Sequence, residues 1–268
     1  MSDAGAGDSS ADADGAGDAL FRLDGRTALV TGARGGIGRA IAVALARAGA
    51  DLILLGRTDD MTATAELVRD AGRDAETVAL DLSSPPETIT AAAAEILGRR
   101  RVDILVNNAG VIHRGAAEDL DFAAWRGVLS VDLDAVFLLS QAFGRAMAER
   151  GHGKIISIAS LLSFQGGVRV AAYAAAKHGV AGLTRALCNE WAGRGVQVNA
   201  IAPGYVATDN TRPLREDGDR SAAIEARIPA GRWGTPDDLA GAAVFLAAPA
   251  SGYVNGHVLV VDGGWMAR

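Results

Sequence analysis

The sequence is poor in cysteine, since only Cys188 among its 268 residues carries a thiol. A disulfide within one chain is therefore excluded, and this cysteine usage fits a reducing compartment. Cys188 lies in the apolar stretch RALCNEW, which has helical spacing. That position favours a packed thiol over a nucleophile.

Long apolar runs and N-terminal basic residues are also missing. No run is long enough to cross a bilayer, and the start of the chain has no signal-peptide pattern. The first 20 residues hold five aspartates and no lysine or arginine, so they account for most of the net charge of −6. The rest is nearly neutral, which gives no support for a nucleic-acid or membrane partner. We expect a disordered acidic tail over residues 1–19 and a soluble, cytoplasmic protein.

Short apolar runs and longer segments of helical periodicity alternate after the tail. Strands are predicted at TALVT (27–31), DLILLG (51–56), ETVAL (76–80), VDILV (102–106), KIISIAS (154–160), VQVNAIAP (196–203) and HVLVVDGG (257–264). Because these runs are apolar throughout, the sheet should be buried on both faces. The predicted fold is α/β, with one Rossmann-type domain over residues 20–268. It is a doubly wound parallel sheet of about seven strands with helices on both faces.

Two further segments stand out in this pattern. One continuous helix is predicted over about residues 122–149. Residues 207–233 are polar, charged and interrupted by prolines, so they are predicted to leave the regular alternation.

A glycine-rich turn, VTGARGGIGRAIA, follows the first predicted strand and precedes a helix. Glycines at 32, 36 and 38 let the backbone approach a pyrophosphate, and the helix N-terminus, with Ile37 in its first turn, offers unpaired N–H groups. The alternative is a tight turn with no ligand. The strand–turn–helix context favours nucleotide binding, with spacing G-x3-G-x-G.

The end of the second strand bears on the choice of cofactor. An acidic residue there would bind a ribose, but the strand ends in Gly56 and Arg57. A guanidinium can pair with a 2′-phosphate, and Arg34 could assist, which favours NADP. The alternative is that Arg57 is solvated and that Asp59 or Asp60 meets the ribose.

Two more loops follow predicted strands. Asp81, with Leu82 beside it, is placed to accept from an adenine amino group, or else to cap the following segment. NNAG at 107–110 can tie neighbouring loops together through its amides, and Gly110 permits close approach of a cofactor. A plain turn is the alternative.

Tyr173 and Lys177 lie one helical turn apart on the same face, in YAAAKHG. A nearby ammonium favours the phenolate form of a phenol, so the pair could act as an acid/base. Ser160 ends the fifth strand and would be delivered beside that helix. Ser157 and Ser163 are its rivals.

TGARGGIG, NNAG, Ser160, YAAAK and APGYVATD together resemble the short-chain dehydrogenase/reductase family, from about residue 20 to the end. The resemblance implies an NAD(P)(H) cofactor and hydride transfer at a carbonyl carbon. It implies Ser160 as the hydroxyl that holds the substrate oxygen and Tyr173 as acid/base. It implies Lys177 as partner of Tyr173 and of the nicotinamide ribose. The implied cofactor-binding residues are Gly32, Arg34, Gly36, Ile37, Gly38, Arg57, Asp81, Leu82, Asn108, Ala109, Gly110, Tyr173, Lys177, Pro203, Gly204, Val206 and Thr208.

One position departs from the family pattern. An asparagine that supports a water in the proton relay is usual there, but VDLDAVF places Asp132 at that point. An aspartate accepts hydrogen bonds only, and it would alter the field around Lys177. We expect activity to survive with a changed pH profile. A catalytically silent NAD(P)-binding sensor is the alternative from another class.

Within the family, SFQGGVRVAAYAAAKHGV, NAIAPGYVATDNT, RIPAGRWG and VDGGWMAR resemble 2-deoxy-D-gluconate 3-dehydrogenases and gluconate dehydrogenases. That implies oxidation of a secondary alcohol in a sugar acid, a homotetramer, and NAD as the usual cofactor. The substrate carboxylate needs a cation, and the expected substrate-binding residues are Ser160, Arg114, Gln165 and Arg169, with Arg212 and Arg215 as further candidates. Residues 207–233 would be a substrate lid. No metal is expected. A 3-oxoacyl carrier-protein reductase or a general ketone reductase is the nearest alternative.

Overall fold

The computed structural model describes residues 19–268. Nearly all of the predicted tail therefore lies outside the described residues. Seven strands form one parallel sheet, in the order β3-β2-β1-β4-β5-β6-β7. Their bounds are Thr27–Thr31 (β1), Asp51–Gly56 (β2), Ala75–Ala79 (β3), Ile104–Asn107 (β4), Gly153–Ile158 (β5), Val196–Pro203 (β6) and Val258–Val261 (β7). The predicted α/β fold with a doubly wound sheet is confirmed.

Helices cover both faces of the sheet, as the apolar strands require. In chain order they are Gly36–Arg47 (α1), Thr62–Asp70 (α2), Pro86–Arg99 (α3), Phe122–Leu129 (α4), Ala135–Arg150 (α5), Ala171–Trp191 (α6), Arg212–Glu216 (α7), Gly218–Arg227 (α8) and Ala240–Ala247 (α9). One core cluster joins the sheet to α1, α2 and α9, and the other joins it to α3, α5 and α6. None of these helices is long and apolar enough to cross a membrane.

Two segments differ from their predictions. The helix expected over 122–149 is two helices joined by a π-helical turn, Ser130–Asp134. Strand β3 has half-buried and exposed residues and no buried one, because it lies at the edge of the sheet. Residues 207–233 leave the strand–helix alternation, as predicted, and contain α7 and α8.

The strand order reverses between β1 and β4, where the chain crosses from one half of the sheet to the other. Loops that follow these two strands turn to opposite faces and leave a crevice at the carboxyl edge. The glycine turn follows β1 and NNAG completes β4, so both border this crevice.

Candidate active site

The glycine turn joins β1 to α1 with backbone that only glycine adopts readily. Gly32 and Gly36 have φ of 66° and 54°. A Cβ on Gly38 would lie 2.3 Å from the carbonyl oxygen of Gly32, so helix and turn pack closely. No side chain caps the N-terminus of α1. The N–H groups of its first turn are therefore free to bind an anion.

NNAG ties the crevice together, as the sequence predicted. The Asn108 side chain donates to the carbonyl of Thr31 at 2.8 Å, and Thr31 Oγ1 accepts from the backbone N–H groups of Asn108 and Ala109 at 2.9 and 3.0 Å. Buried Asn107 donates to the Ser140 hydroxyl at 3.0 Å. Thr31 and Ser140 belong to no motif in the sequence, and only the contacts reveal them.

The end of β2 gathers exposed charges. The Arg34 guanidinium lies 3.1 Å from the Asp60 carboxylate, and each side chain is 69% exposed. Arg57 is also exposed, on the first residue after the strand. Asp81 accepts from the N–H and hydroxyl of Ser83 at 2.9 and 2.7 Å, and these bonds lower the pKa of its carboxyl. Asp81 therefore forms a local turn, close to the capping alternative.

The segment after β6 reaches back to the glycine turn. Gly204 donates to the Val261 carbonyl at 2.9 Å, and buried Val206 forms a bridge with Gly234. The Thr208 methyl group lies 3.6 Å from where a Cβ on Gly36 would stand. The two cofactor-binding segments that the sequence predicted, 32–38 and 203–208, therefore meet.

Ser160 stands out among the three candidate serines. Ser157 and Ser163 are buried. The Ser163 hydroxyl donates to the Lys177 carbonyl at 2.7 Å, while that of Ser157 lies 3.4 Å from the Asn107 amide nitrogen. Ser160 is only half-buried, and its Oγ accepts from the Leu162 N–H at 3.1 Å. Within residues 19–268 the Ser160 hydroxyl donates no hydrogen bond.

Tyr173 and Lys177 face each other at the start of α6. The Lys177 Nζ lies 5.3 Å from the centre of the Tyr173 ring. Tyr173 is half-buried, whereas Lys177 is only 4% exposed. The helix therefore presents a reachable phenol above a cation that solvent does not reach.

The Lys177 ammonium is held by two oxygen acceptors, a backbone carbonyl and a carboxylate. Its Nζ donates to the Ile158 carbonyl at 2.9 Å and lies 3.3 Å from Oδ2 of fully buried Asp132. The other Asp132 oxygen accepts from the Val111 N–H at 2.7 Å. A Cβ on Gly110 would lie 3.0 Å from Oδ2, so the last residue of NNAG leaves room for this carboxylate.

Burial and pairing act in opposite directions on this ion pair. Burial disfavours the Lys177 ammonium, but the interactions with Asp132 and Tyr173 together outweigh it, and the pKa of Lys177 lies above its ordinary value. Burial raises the pKa of Asp132, against the attraction of Lys177 and the Val111 hydrogen bond. Lys177 therefore stays charged through the neutral range.

Two of the four predicted substrate-binding residues, Arg114 and Arg169, line one cavity, whereas Ser160 and Gln165 are not among its lining residues. Half-buried Arg114 and exposed Arg169 line one cavity of about 260 Å³, and the N–H of Gly115 donates to the Arg169 carbonyl at 3.0 Å. Gln165 lies in the same loop as Arg169 and accepts from the Trp265 indole at 3.3 Å. Arg220, which no motif indicated, lines the same cavity.

The two further candidates lie outside this cavity. Arg212 is in an exposed ion pair with Asp209, and Arg215 donates to the Thr208 carbonyl at 3.1 Å. Neither lines the cavity of Arg114 and Arg169, and their role as carboxylate ligands stays a prediction.

A family profile described as enoyl-(acyl carrier protein) reductase matches residues 32–266. The 2-dehydro-3-deoxy-D-gluconate 5-dehydrogenase of Bacillus subtilis is 58% identical over 248 residues, which are 92% of this chain and 97% of that protein. The chain belongs to the short-chain dehydrogenase/reductase family. Members at this similarity are dehydrogenases acting on CH–OH groups, so the chain is an oxidoreductase of that family.

Solved structures of the family superpose closely. A candidate NAD(P)-dependent gluconate 5-dehydrogenase of Beutenbergia cavernae, with bound NADP at low occupancy, has a TM-score of 0.91 at 58% identity, covering 93% of this chain and 100% of that one. A gluconate 5-dehydrogenase of Burkholderia cenocepacia, in complex with NADP and tartrate, has a TM-score of 0.90 at 43% identity, covering 94% and 99%. The family's fold and this chain's fold are the same.

Proposed function

We propose that the protein oxidises a secondary alcohol of a sugar acid to a ketone and passes the hydride to NADP. The observation that carries this proposal is the joint position of Ser160, Tyr173 and the buried Lys177 at the carboxyl edge of the sheet. Arg114 and Arg169 beside Tyr173 supply the positive charge that a carboxylate substrate needs. The sugar-acid relatives named above support the same substrate class.

The residues of the crevice fit a dinucleotide. The uncapped N-terminus of α1 and the glycine turn suit a pyrophosphate, and Thr208 lies against Gly36 where the nicotinamide end would follow. Exposed Arg34 in the glycine turn and exposed Arg57 directly after β2 suit a 2′-phosphate, which favours NADP over NAD. When bound, the nicotinamide supplies the hydride acceptor at its C4 carbon. The full set of cofactor-binding residues is the one predicted from the sequence.

The chain's own residues handle the proton and the substrate oxygen. The Ser160 hydroxyl donates to the reacting oxygen and holds it near the phenol. Tyr173, as phenolate, takes the alcohol proton while the C–H bond gives up its hydride and the C=O bond forms. Lys177 stabilises the phenolate charge, and Asp132 keeps Lys177 protonated and in place.

Residues 207–233 act in this proposal as a substrate lid over the crevice. The segment is anchored by an apolar cluster that includes Leu161, directly after Ser160, together with Leu214, Ile224, Ile228 and Trp265. That cluster links the position of the lid to the serine. We place the enzyme in the cytoplasm as a homotetramer. Light scattering of the purified protein tests the tetramer, and a monomer would contradict it.

A substrate panel tests the function. Purified protein is mixed with NADP or NAD and with gluconate, 2-dehydro-3-deoxy-D-gluconate or 2-deoxy-D-gluconate, and absorbance of the reduced nicotinamide is followed. An acetoacetyl thioester with NADPH serves as the comparison substrate. We expect turnover of a sugar acid, faster with NADP. No turnover of any sugar acid, or turnover of the thioester alone, contradicts the proposal.

A further inference from the structure

The cavity beside Tyr173 collects three arginines from three separate segments. Arg114 comes from the loop after β4, Arg169 from the loop after β5 and Arg220 from α8. Val168 and Leu214 complete its lining. No carboxylate is among the lining residues, so every charged side chain that lines the cavity is a cation.

None of the three guanidinium groups forms an ion pair within residues 19–268. Arg114 donates to the carbonyl of Asn210 at 3.1 Å, which ties the loop after β4 to the segment that carries α8. Asp217 and Asp219 are neighbours of Arg220 in sequence, but Asp217 accepts from the Arg220 backbone N–H at 3.1 Å and caps the helix. The exposed Arg220 guanidinium is therefore open to a ligand at the cavity.

Bringing these cations together has a cost that a ligand would remove. Burial and then the positive charge of Arg220 lower the pKa of the Arg114 guanidinium, which shows that the two charges repel one another. Arg169 adopts a φ of 63°, in the left-handed region that residues with a Cβ rarely occupy. A bound anion would offset the repulsion and make bidentate hydrogen bonds to the guanidinium planes.

The cavity is also linked to the part of the site that contains Tyr173. Arg169 precedes Tyr173 by four residues, and its carbonyl accepts from Gly115 at 3.0 Å, directly after Arg114. An anionic group held by these arginines would therefore place the rest of a short polyhydroxy chain toward the phenol.

We propose that Arg114, Arg169 and Arg220 together bind the carboxylate of the substrate, and that Arg220 is a specificity-determining residue selecting the acid over a neutral polyol. Arg220 reaches the cavity only when α8 is packed in place, so the lid and the charge recognition act as one device. The inference rests on the proposed sugar-acid oxidation, which itself requires only that some cation meets the substrate.

Replacing Arg220 by glutamine tests the assignment in turnover. We expect KM for the sugar acid to rise about tenfold in Arg220→Gln, with kcat changed less than threefold, because a uniform binding interaction is lost. KM for the corresponding neutral alditol should not change. Arg220→Lys should restore part of the affinity. The matched control, Arg194→Gln, removes a charge from the turn before β6, at the opposite edge of the sheet, and should match the wild type.

Binding of tartrate in the presence of NADPH provides a readout that does not depend on turnover. We expect tartrate to bind the wild type and Arg194→Gln equally, and about tenfold more weakly to Arg220→Gln. Equal tartrate binding by Arg220→Gln, or an equal rise of KM for acid and alditol, overturns the assignment of Arg220. A wild type that binds tartrate through Arg220 but oxidises no sugar acid contradicts the proposed function and leaves the anion site standing. If the protein oxidises a sugar acid and Arg220→Gln has the wild-type KM, the proposed function stands and the assignment of Arg220 is contradicted.

Discussion

Two ion pairs at the carboxyl edge of the same sheet differ in almost everything except their chemistry. Lys177 and Asp132 are 3.3 Å apart with side chains 4% and 0% exposed. Arg34 and Asp60 are 3.1 Å apart with both side chains 69% exposed. The two N–O distances are nearly equal, so the different roles of the two pairs must come from their different burial.

Burial makes the Lys177–Asp132 pair rigid, whereas exposure makes the Arg34–Asp60 pair replaceable. Removing one partner of a buried pair leaves a charge that water cannot reach, whereas water and salt readily substitute for a partner at the surface. The buried pair is therefore suited to fix a protonation state beneath the acid/base. The exposed pair is suited to exchange its partner for the phosphate of a ligand.

The largest expected effect comes from breaking the buried pair. Lys177→Met leaves Asp132 without its partner, and we expect a loss of about 3–5 kcal/mol in the free energy of unfolding together with loss of turnover. Urea denaturation and the sugar-acid assay measure the two effects. Arg34→Met, the same change at the exposed pair, should cost less than about 1 kcal/mol.

A double variant separates the two roles of Lys177. In Lys177→Met with Asp132→Asn no buried charge remains, so most of the lost stability should return while turnover stays absent. If stability fails to return, the buried charge was not the cause of the loss. If turnover returns, Lys177 has no part in the chemistry.

Removing only the buried negative charge should move the pH profile. In Asp132→Asn burial acts on Lys177 without the carboxylate that keeps it protonated, so the pKa of Lys177 falls and the phenolate is stabilised less. We expect the rising limb of the kcat/KM profile for oxidation to shift to higher pH by on the order of one unit. A shift to lower pH would contradict this role and show that Asp132 acts mainly by offsetting the charge of Lys177. An unmoved limb would contradict any electrostatic role for Asp132.

The exposed region should govern the choice of cofactor and little else. Arg57→Gln removes a cation at the end of β2, and we expect NADP to bind about tenfold more weakly while NAD binding is unchanged. Fluorescence titration with both cofactors measures this. An equal loss for NAD and NADP would place Arg57 outside the 2′-phosphate site.

The smallest effect is expected at Asp60. Asp60→Asn frees Arg34 from its carboxylate, so NADP affinity should rise slightly and unfolding should change by less than about 0.5 kcal/mol. Thermal denaturation without cofactor and NADP titration give the two values. A large destabilisation would show that this exposed pair supports the fold.

The regular framework could be predicted from the sequence because its signals are local. Buried parallel strands read as apolar runs, and the turn at Gly32 and Gly36 needs residues that tolerate positive φ. The spacing of Tyr173 and Lys177 follows from helix geometry alone. Their roles remain predictions, since contacts describe where they are and not what they do.

Other features depend on contacts between distant segments. The π-helical turn at Ser130–Asp134 adds no visible break to an apolar helical pattern, yet it carries Asp132 to Lys177. The family resemblance implied Ser160, but the chemistry of the residues left Ser157 and Ser163 open, and only the structure shows Ser163 bonded to the Lys177 carbonyl. Arg220 lies with Arg114 only because α8 packs there. The polar, charged sequence of this segment did not predict that packing.

The role of the Tyr173 phenol in proton transfer is tested by assaying the wild type and Tyr173→Phe in parallel. Formation of NADPH from a sugar acid is followed for both proteins, and NADP binding is titrated for both. If Tyr173 is the acid/base, the wild type turns over rapidly, Tyr173→Phe loses at least about a hundredfold, and both bind NADP equally. Turnover by Tyr173→Phe at the wild-type rate would contradict this role.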